Sequence, residues 1–213
     1  MISPANAKPL THQLIAEDLT LFRGERCLFS ALNFALEGGQ LLQLEGSNGS
    51  GKTSLLRVIA GLLDPEEGVV RWNGEDSRDN RQAFLSQLAW LGHKPGFKLD
   101  LTPVENLRFE TSLRPQSERS MDEVFEKLQL TALKPLPLRS LSAGQQRRVA
   151  LARLMLSSAP LWILDEPYTN LDKAGRELVD QIVQAHVEKG GLCLLASHQA
   201  VEIDVPRQQV QLS

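Results

Sequence analysis

Only two cysteines occur among the 213 residues, Cys27 and Cys193, far apart and in unrelated contexts. They give no metal-ligand spacing, which excludes a module built on paired cysteines, and reduced structural thiols in a cytosolic protein are expected. An excess of either charge is also missing. Lys and Arg number 23 against 26 Asp and Glu, leaving a net charge of −3, so nothing general draws the chain to nucleic acid or anionic lipid. Long apolar runs are lacking as well: the longest apolar region, 149–164, is interrupted by Arg153 and by Ser157-Ser158-Ala159-Pro160 and cannot cross a bilayer as a helix. Any membrane role is therefore expected to run through a partner. Residues 1–13 are polar, without the apolar core of a signal peptide, and 1–12 read as a loose polar leader. No internal repeat or low-complexity stretch stands out. What is present, 42% hydrophobic and 23% charged residues, suits a soluble globular chain of one large domain, or of a domain with a small insertion.

One stretch carries chemistry of high specificity. From Leu44 to Leu56 the chain reads apolar strand, glycine-rich turn, then helix start, and the turn is Gly46-Ser47-Asn48-Gly49-Ser50-Gly51-Lys52-Thr53. This is G-x-x-x-x-G-K-T. Gly46 and Gly51 let the backbone curl so that successive N–H groups cradle a phosphate. Lys52 brings a point charge to the β- and γ-phosphates, and the Thr53 hydroxyl is a Mg²⁺ ligand in this pattern. The following helix directs its positive dipole end at the anion. Binding of a nucleoside triphosphate is the expectation.

Around this loop the periodicity predicts strands at 13–21 and 26–36, joined by a turn at Arg23-Gly24-Glu25, and at 40–44 after Glu37-Gly38-Gly39. A helix is predicted over 52–61, with Leu55, Leu56 and Ile59 on one face and Gly61 as its C-cap. Strands at 67–72 and 88–92 follow, with a helical turn near 81–87 between them. From 93 to 141 the character changes to proline breaks and amphipathic helices. Ser120 with Glu123 makes a capping box there, ahead of Met121, Val124, Phe125 and Leu128 at helical spacing. This region reads as a small helical subdomain. Helix 143–157, strand 161–164, helix 173–189 and strand 192–196 then resume the alternation, implying an α/β fold with a mostly parallel core sheet covered on both faces.

Two further segments complete the candidate site. Leu161-Trp162-Ile163-Leu164-Asp165-Glu166 is an apolar strand ending in two carboxylates. Downstream of a phosphate loop, an acid so placed holds Mg²⁺, the role expected of Asp165. Glu166 beside it is expected to orient or deprotonate the attacking water. The plainer alternative is an acidic pair that caps the next helix. Leu141-Ser142-Ala143-Gly144-Gln145-Gln146-Arg147-Arg148 puts a Ser and a Gly at a helix start, a second anion site of N–H groups and hydroxyl. Standing alone, it would be a capped surface helix with Arg147 and Arg148 solvated.

Together these residues resemble the ATP-binding-cassette (ABC) ATPase family over nearly the whole chain, with 13–213 as a single domain of that kind. Leu141-Ser142-Ala143-Gly144-Gln145 resembles the family's signature, Thr169-Asn170-Leu171-Asp172 its D-loop with Asp172, and His198 its switch histidine. The resemblance implies a P-loop NTPase fold with an N-terminal antiparallel β region. It also implies two cassettes sandwiching two ATP molecules and Mg²⁺ head to tail, the loop Gly46 to Thr53 of one facing Ser142 and Gly144 of the other. Lys52, Glu166 and His198 would then act at the γ-phosphate, Thr53 and Asp165 would hold Mg²⁺, and Phe22 would stack on adenine where the family usually has Tyr. Two departures are visible. Ala143 replaces a commoner glycine, and His93 stands where the family's Q-loop glutamine links metal and water to the membrane partner.

The string Leu91-Gly92-His93-Lys94-Pro95-Gly96-Phe97-Lys98, the short helical region and the brief tail after His198 resemble one branch, the ATPase subunits of cytochrome c maturation, described as haem exporters. The resemblance implies a subunit peripheral on the cytoplasmic face of a bacterial inner membrane, a homodimer on ATP, partnered by integral permease subunits and not by nucleic acid. Its work would be haem export, or release of the haem-loaded periplasmic chaperone. The alternatives are the ATPase of another small ABC exporter, a soluble ABC assembly ATPase, and a regulatory module that binds ATP without hydrolysing it. A GTPase or small-molecule kinase is disfavoured: no N-K-x-D motif occurs, and the 141–145 segment would be unexplained.

Overall fold

The computed structural model describes residues 12–94, 96–112 and 116–213. The expected leader, apart from His12, and Pro95 of the 91–98 string therefore lie outside the described residues.

The chain opens as an antiparallel hairpin. Strand β1 (Gln13–Arg23) turns at Gly24-Glu25 into β2 (Arg26–Glu37), and alternation buries Leu14, Ala16, Leu19 and Leu36 on one face. After Gly38-Gly39 comes β3 (Leu41–Glu45), then helix α1 (Lys52–Ile59), β4 (Glu67–Trp72) and the two-residue β5 (Glu75–Asp76). The first sheet has the order β2-β1-β4-β5, all antiparallel.

A short helix α2 (Arg81–Ser86) precedes β6 (Leu88–Leu91). Helices α3 (Pro103–Thr111) and α4 (Met121–Lys127) follow, each started by a capping box: Thr102 with Glu105, and Ser120 with Glu123. The reciprocal side-chain and backbone hydrogen bonds satisfy orphan N–H groups of the first turn and fix where each helix begins. Helix α5 (Ala143–Leu156), strand β7 (Leu161–Asp165), helix α6 (Lys173–Glu188), β8 (Leu192–Ala196) and β9 (Arg207–Gln211) complete the chain.

The second sheet is parallel throughout, in the order β6-β7-β8-β3-β9. Because side chains alternate across a strand, its strands feed two cores. Leu42, Leu44, Leu161, Ile163, Leu192 and Leu194 pack with α1 and the antiparallel sheet. Leu41, Leu91, Trp162, Leu164, Cys193 and Leu195 pack with α5 and α6. Burial on both faces accounts for the unbroken apolar run of β7. Among its described residues the 93–141 region forms no separate core: Leu107, Val124, Phe125, Leu128 and Leu138 join the cluster containing Val149 and Leu151 of α5.

Strand β9 was not expected. Its sequence Arg207-Gln208-Gln209-Val210-Gln211 has a single apolar residue, Val210, packed on the core. As an edge strand it pairs only with β3, and side-chain bonds from Arg207 to Gln43 and from Gln208 to the Ala35 carbonyl add to that pairing. It anchors Leu212, whose N–H donates to the Glu45 carbonyl at 2.9 Å. Both cysteines are free; Cys27 is exposed, and Cys193 is buried with its thiol pushed up by desolvation.

Candidate active site

The phosphate loop leaves β3 at Gly46 under a steric constraint. Gly46 has φ +145°, and a Cβ there would stand 2.4 Å from the Leu212 carbonyl oxygen and 2.5 Å from Ser50 Oγ. Only glycine lets the loop curl at that point. Gly51, at φ +104°, forms the N-cap of α1 with no side-chain cap, so the N–H groups of the first turn keep no intrahelical acceptor. Ser50 is buried beneath the loop, while Asn48 and Gly49 are exposed at its tip. The Lys52 ammonium lies along the inner side of the loop and donates to the carbonyls of Gly46 at 2.7 Å and Ser47 at 3.0 Å.

Strand β7 brings the acids to the same place. Asp165 is its last residue, only 3% exposed, and both its carboxylate oxygens lie 3.0 Å from Thr53 Oγ1. Burial raises the Asp165 pKa, opposed in part by the Thr53 hydrogen bond. Glu166 takes φ +50° and donates its N–H to the Ala196 carbonyl at 2.9 Å, so it is held against the end of β8. Its carboxylate meets Nδ1 of His198, two residues beyond that strand, at 2.8 Å. The loop, Glu166 and His198 enclose a cleft of about 590 Å³, which His93 also lines.

Phe22 is not brought to this cleft. It is 44% exposed at the end of β1, opposite Cys27, whereas its neighbour Arg23 and, across the turn, Arg26 line the wall. Neither arginine was singled out from the sequence, since a charged pair beside a hairpin turn is common on any surface.

The 141–145 segment lies elsewhere. Ser142 N-caps α5, its hydroxyl accepting from the Gln145 N–H at 3.2 Å while Gln145 Oε1 accepts from the Ser142 N–H at 2.9 Å. Leu141 is buried in the helical core. Ala143 is exposed, and Gly144 packs so closely on the 169–172 turn that a Cβ would be 2.8 Å from the Asn170 carbonyl. Asp172 N-caps α6 through the Gly175 N–H at 2.8 Å. Ser142 to Gln145 and Asn170 to Asp172 line a second surface cleft of about 690 Å³, which shares no lining residue with the first.

Arg147 overturns the picture of a solvated pair. Arg148 remains near the surface, bonded to Gln129 at 2.7 Å, but Arg147 is 4% exposed and donates to four main-chain carbonyls. Desolvation pulls its pKa down to about 10, so it stays charged at neutral pH. The available signal was spacing: positions 147, 151, 154 and 155 fall on one helix face, and the last three are apolar core residues.

With this geometry in view, residues 29–169 match the family model described as ABC transporter. The chain belongs to that family. ATP binding is the property its domain shares with the family's cassettes. Its curated relatives include the protein named cytochrome c biogenesis ATP-binding export protein CcmA from Methylococcus capsulatus, 48% identical over 192 residues and covering 89% of this chain and 93% of that one. The protein of the same name from Vibrio parahaemolyticus is 46% identical over 197 residues, covering 91% and 96%. Among solved structures, an ATP-binding subunit of an ABC transporter superposes with a TM-score of 0.78 at 25% identity, covering 87% of this chain and 79% of that one. An ATP-binding cassette solved as a dimer in a post-hydrolysis state with ADP and phosphate gives 0.77 at 22% identity, covering 87% and 88%. At that identity only the fold is shared. Among the described residues no helix is long and apolar enough to cross a membrane, and no cluster of three or more His, Cys, Asp or Glu side chains could hold a metal ion.

Proposed function

We propose that this chain is the ATP-hydrolysing subunit of a membrane transporter complex for c-type cytochrome biogenesis, working as a pair of cassettes. The observation that carries the reading is the cleft in which Lys52, Thr53, Glu166 and His198 converge, with Asp165 bonded to Thr53 at its floor. The names of the curated relatives supply the pathway.

Within the cleft, loop N–H groups and the Lys52 ammonium bind and orient the triphosphate. Glu166 positions a water for attack on the γ-phosphate and draws off its proton, while His198 orients Glu166 and reaches the γ-phosphate. Catalysis of this kind is mostly positioning and charge stabilisation. The Thr53 hydroxyl and Asp165 carboxylate form an oxygen donor pair that suits Mg²⁺, which takes one or two protein oxygens together with phosphates and water. Its positive charge would also stabilise the carboxylate whose burial raises the Asp165 pKa. Bound there, the ion would supply positive charge against the triphosphate. His93, which lines the same cleft, would be a further contact for that shell. Phe22 lies outside the cleft wall, so adenine stacking on it requires the strand end to close inward.

Separation of the two clefts supports the pairing. Ser142, Gly144 and their helix N-terminus are set apart from the chain's own phosphate loop, as they must be if they serve the nucleotide of a second copy. The dimeric solved cassette offers a precedent for that state in the same fold. We take 13–213 as one cassette domain and 93–141 as its helical subdomain. The permease subunits would attach there and around His93, placing the chain on the cytoplasmic side of the inner membrane through its partners. The cargo event is haem export or release of the haem-loaded chaperone.

Purified complex carrying Glu166→Gln tests the mechanism. Turnover reduced by about 10²- to 10³-fold with ATP still bound supports it; hydrolysis at the wild-type rate refutes the role of Glu166.

A further inference from the structure

Helix α5 touches the site at two levels. Its first turn presents Ser142 and Gly144 at the second cleft. Five residues beyond Ser142, roughly 7.5 Å along the axis at 1.5 Å per residue, Arg147 points inward. Its Nε donates to the Pro167 carbonyl at 3.0 Å and Nη1 to the Gly92 carbonyl at 2.8 Å. Nη2 donates to the carbonyls of Asp165 at 3.2 Å and Glu166 at 2.6 Å.

This is an unusual use of a buried cation. A guanidinium taken out of water generally needs a carboxylate or a full set of acceptors, and here the four acceptors are all main-chain carbonyls. Four of the five N–H donors of an arginine fork are therefore spent on fixing backbone. The segment they fix is residues 165–167, which holds both acids and includes Glu166 at φ +50°, a conformation costly for a residue with a Cβ. The fourth acceptor, Gly92, immediately precedes His93. The same helix start is pressed on the other side against the Asn170 carbonyl through Gly144. The acids at the end of β7 and the loop after β6 are thus clamped to the start of α5.

We propose that Arg147 is a positioning residue that carries engagement of the α5 N-terminus by the partner copy's nucleotide to Glu166 of its own chain, through the carbonyls of Asp165, Glu166, Pro167 and Gly92. The inference rests on the reading above, that Ser142 and Gly144 meet the nucleotide of a second copy and that Glu166 acts on water. Arg147 itself lines neither cleft. Its consequence is that the geometry around one ATP depends on occupancy of the other site, so hydrolysis is cooperative in ATP. A lysine at 147 keeps the charge, but its three donors radiate from one nitrogen and cannot span the carbonyls that a planar fork reaches.

The test uses the complete chain in complex with its membrane subunits and compares wild type, Arg147→Lys, Glu166→Gln and the double variant. For Arg147→Lys the expected result is ATP affinity within about 2-fold of wild type. Its kcat should fall by about 10- to 100-fold, the scale of an ångström-level misplacement, and its Hill coefficient for ATP should fall toward 1. The double variant should be no slower than Glu166→Gln alone, because both losses act on one group. A merely structural arginine would lower thermal stability and leave the Hill coefficient and the affinity-to-kcat split untouched, which would overturn the proposal. Multiplicative losses in the double variant would overturn it as well. Should the variants not fold, hydrogen exchange on Glu166→Gln protein decides: ATP with Mg²⁺ should protect amides 144–148 and 165–168 in concert, and independent protection contradicts the clamp. Wild-type turnover by Glu166→Gln would instead defeat the underlying functional reading, whatever Arg147 does.

Discussion

The Thr53 hydroxyl lies 3.0 Å from both carboxylate oxygens of Asp165, joining residues 112 positions apart in the chain. That contact stitches the start of α1 to the end of β7 and brings the phosphate loop and the acids into one site. Asp165→Asn is expected to reduce turnover by about 10²- to 10³-fold. Thr53→Ala should raise the Mg²⁺ concentration needed for half-maximal hydrolysis, since one oxygen donor is lost. A Mg²⁺ titration of ATP turnover checks both, and an unchanged titration in Thr53→Ala removes Thr53 from the metal shell.

Gly46→Ala tests the loop independently of charge. The added Cβ meets the Leu212 backbone at a distance no folded loop tolerates, and its φ of +145° disfavours any residue with a side chain. Loss of ATP binding is expected by calorimetry, with the rest of the fold retained in the circular dichroism spectrum. Binding at wild-type affinity would show that the loop has another route around Leu212.

His198→Ala removes the 2.8 Å contact to Glu166. It should lower kcat by about 10² while leaving ATP affinity nearly unchanged, because the contact serves the reacting state rather than the bound one. A large rise in KM at constant kcat would assign His198 to ground-state binding instead.

A separate pH effect comes from the far end of the parallel sheet. His186 stacks on Trp162, ring centroids 3.9 Å apart and 7° from parallel, and its Nε2 lies 3.1 Å from the Pro160 carbonyl and 3.3 Å from that of Leu192. Burial lowers its pKa to about 4, from about 6.5 for a free imidazole. The neutral form is the one the fold accepts, so the unfolded chain binds the proton more readily. Stability from this group is full above about pH 6.5 and is lost as pH falls toward 4, by about 3 kcal/mol at most. Asp165 and Asp180, whose pKa values are raised by burial, act in the opposite direction. Subtracting the melting curves of His186→Phe from those of wild type between pH 7 and 4.5 should isolate the loss, and parallel curves would contradict it.

Much of this was legible because the informative spacings are covalent. Gly46, Gly51, Lys52 and Thr53 sit at fixed offsets, and the strand ahead of Asp165 is apolar enough to be recognised alone. Elements buried on both faces were located to within a residue or two for the same reason. What escaped was structure that side-chain pattern does not encode. Strand β9 pairs with β3 at an edge, and its four polar residues around Val210 look like a tail. Arg147 reads as surface because its acceptors are main-chain carbonyls, which leave no trace in composition. The separation of the two clefts depends on where α5 packs, and no local window contains that information. The same holds for Arg23 and Arg26, which reach the cleft only because the β1–β2 hairpin folds over the loop, while Phe22 beside them stays outside.

The central claim, ATP hydrolysis by this chain in the service of c-type cytochrome assembly, is tested most directly in cells. The measurement is covalent haem in periplasmic c-type cytochromes, in a strain lacking this chain and complemented with wild type or with Lys52→Ala. The account predicts that wild type restores the haem signal and that Lys52→Ala does not, although the protein is made at the same level. Normal c-type cytochromes in the uncomplemented strain, or full rescue by Lys52→Ala, would contradict it.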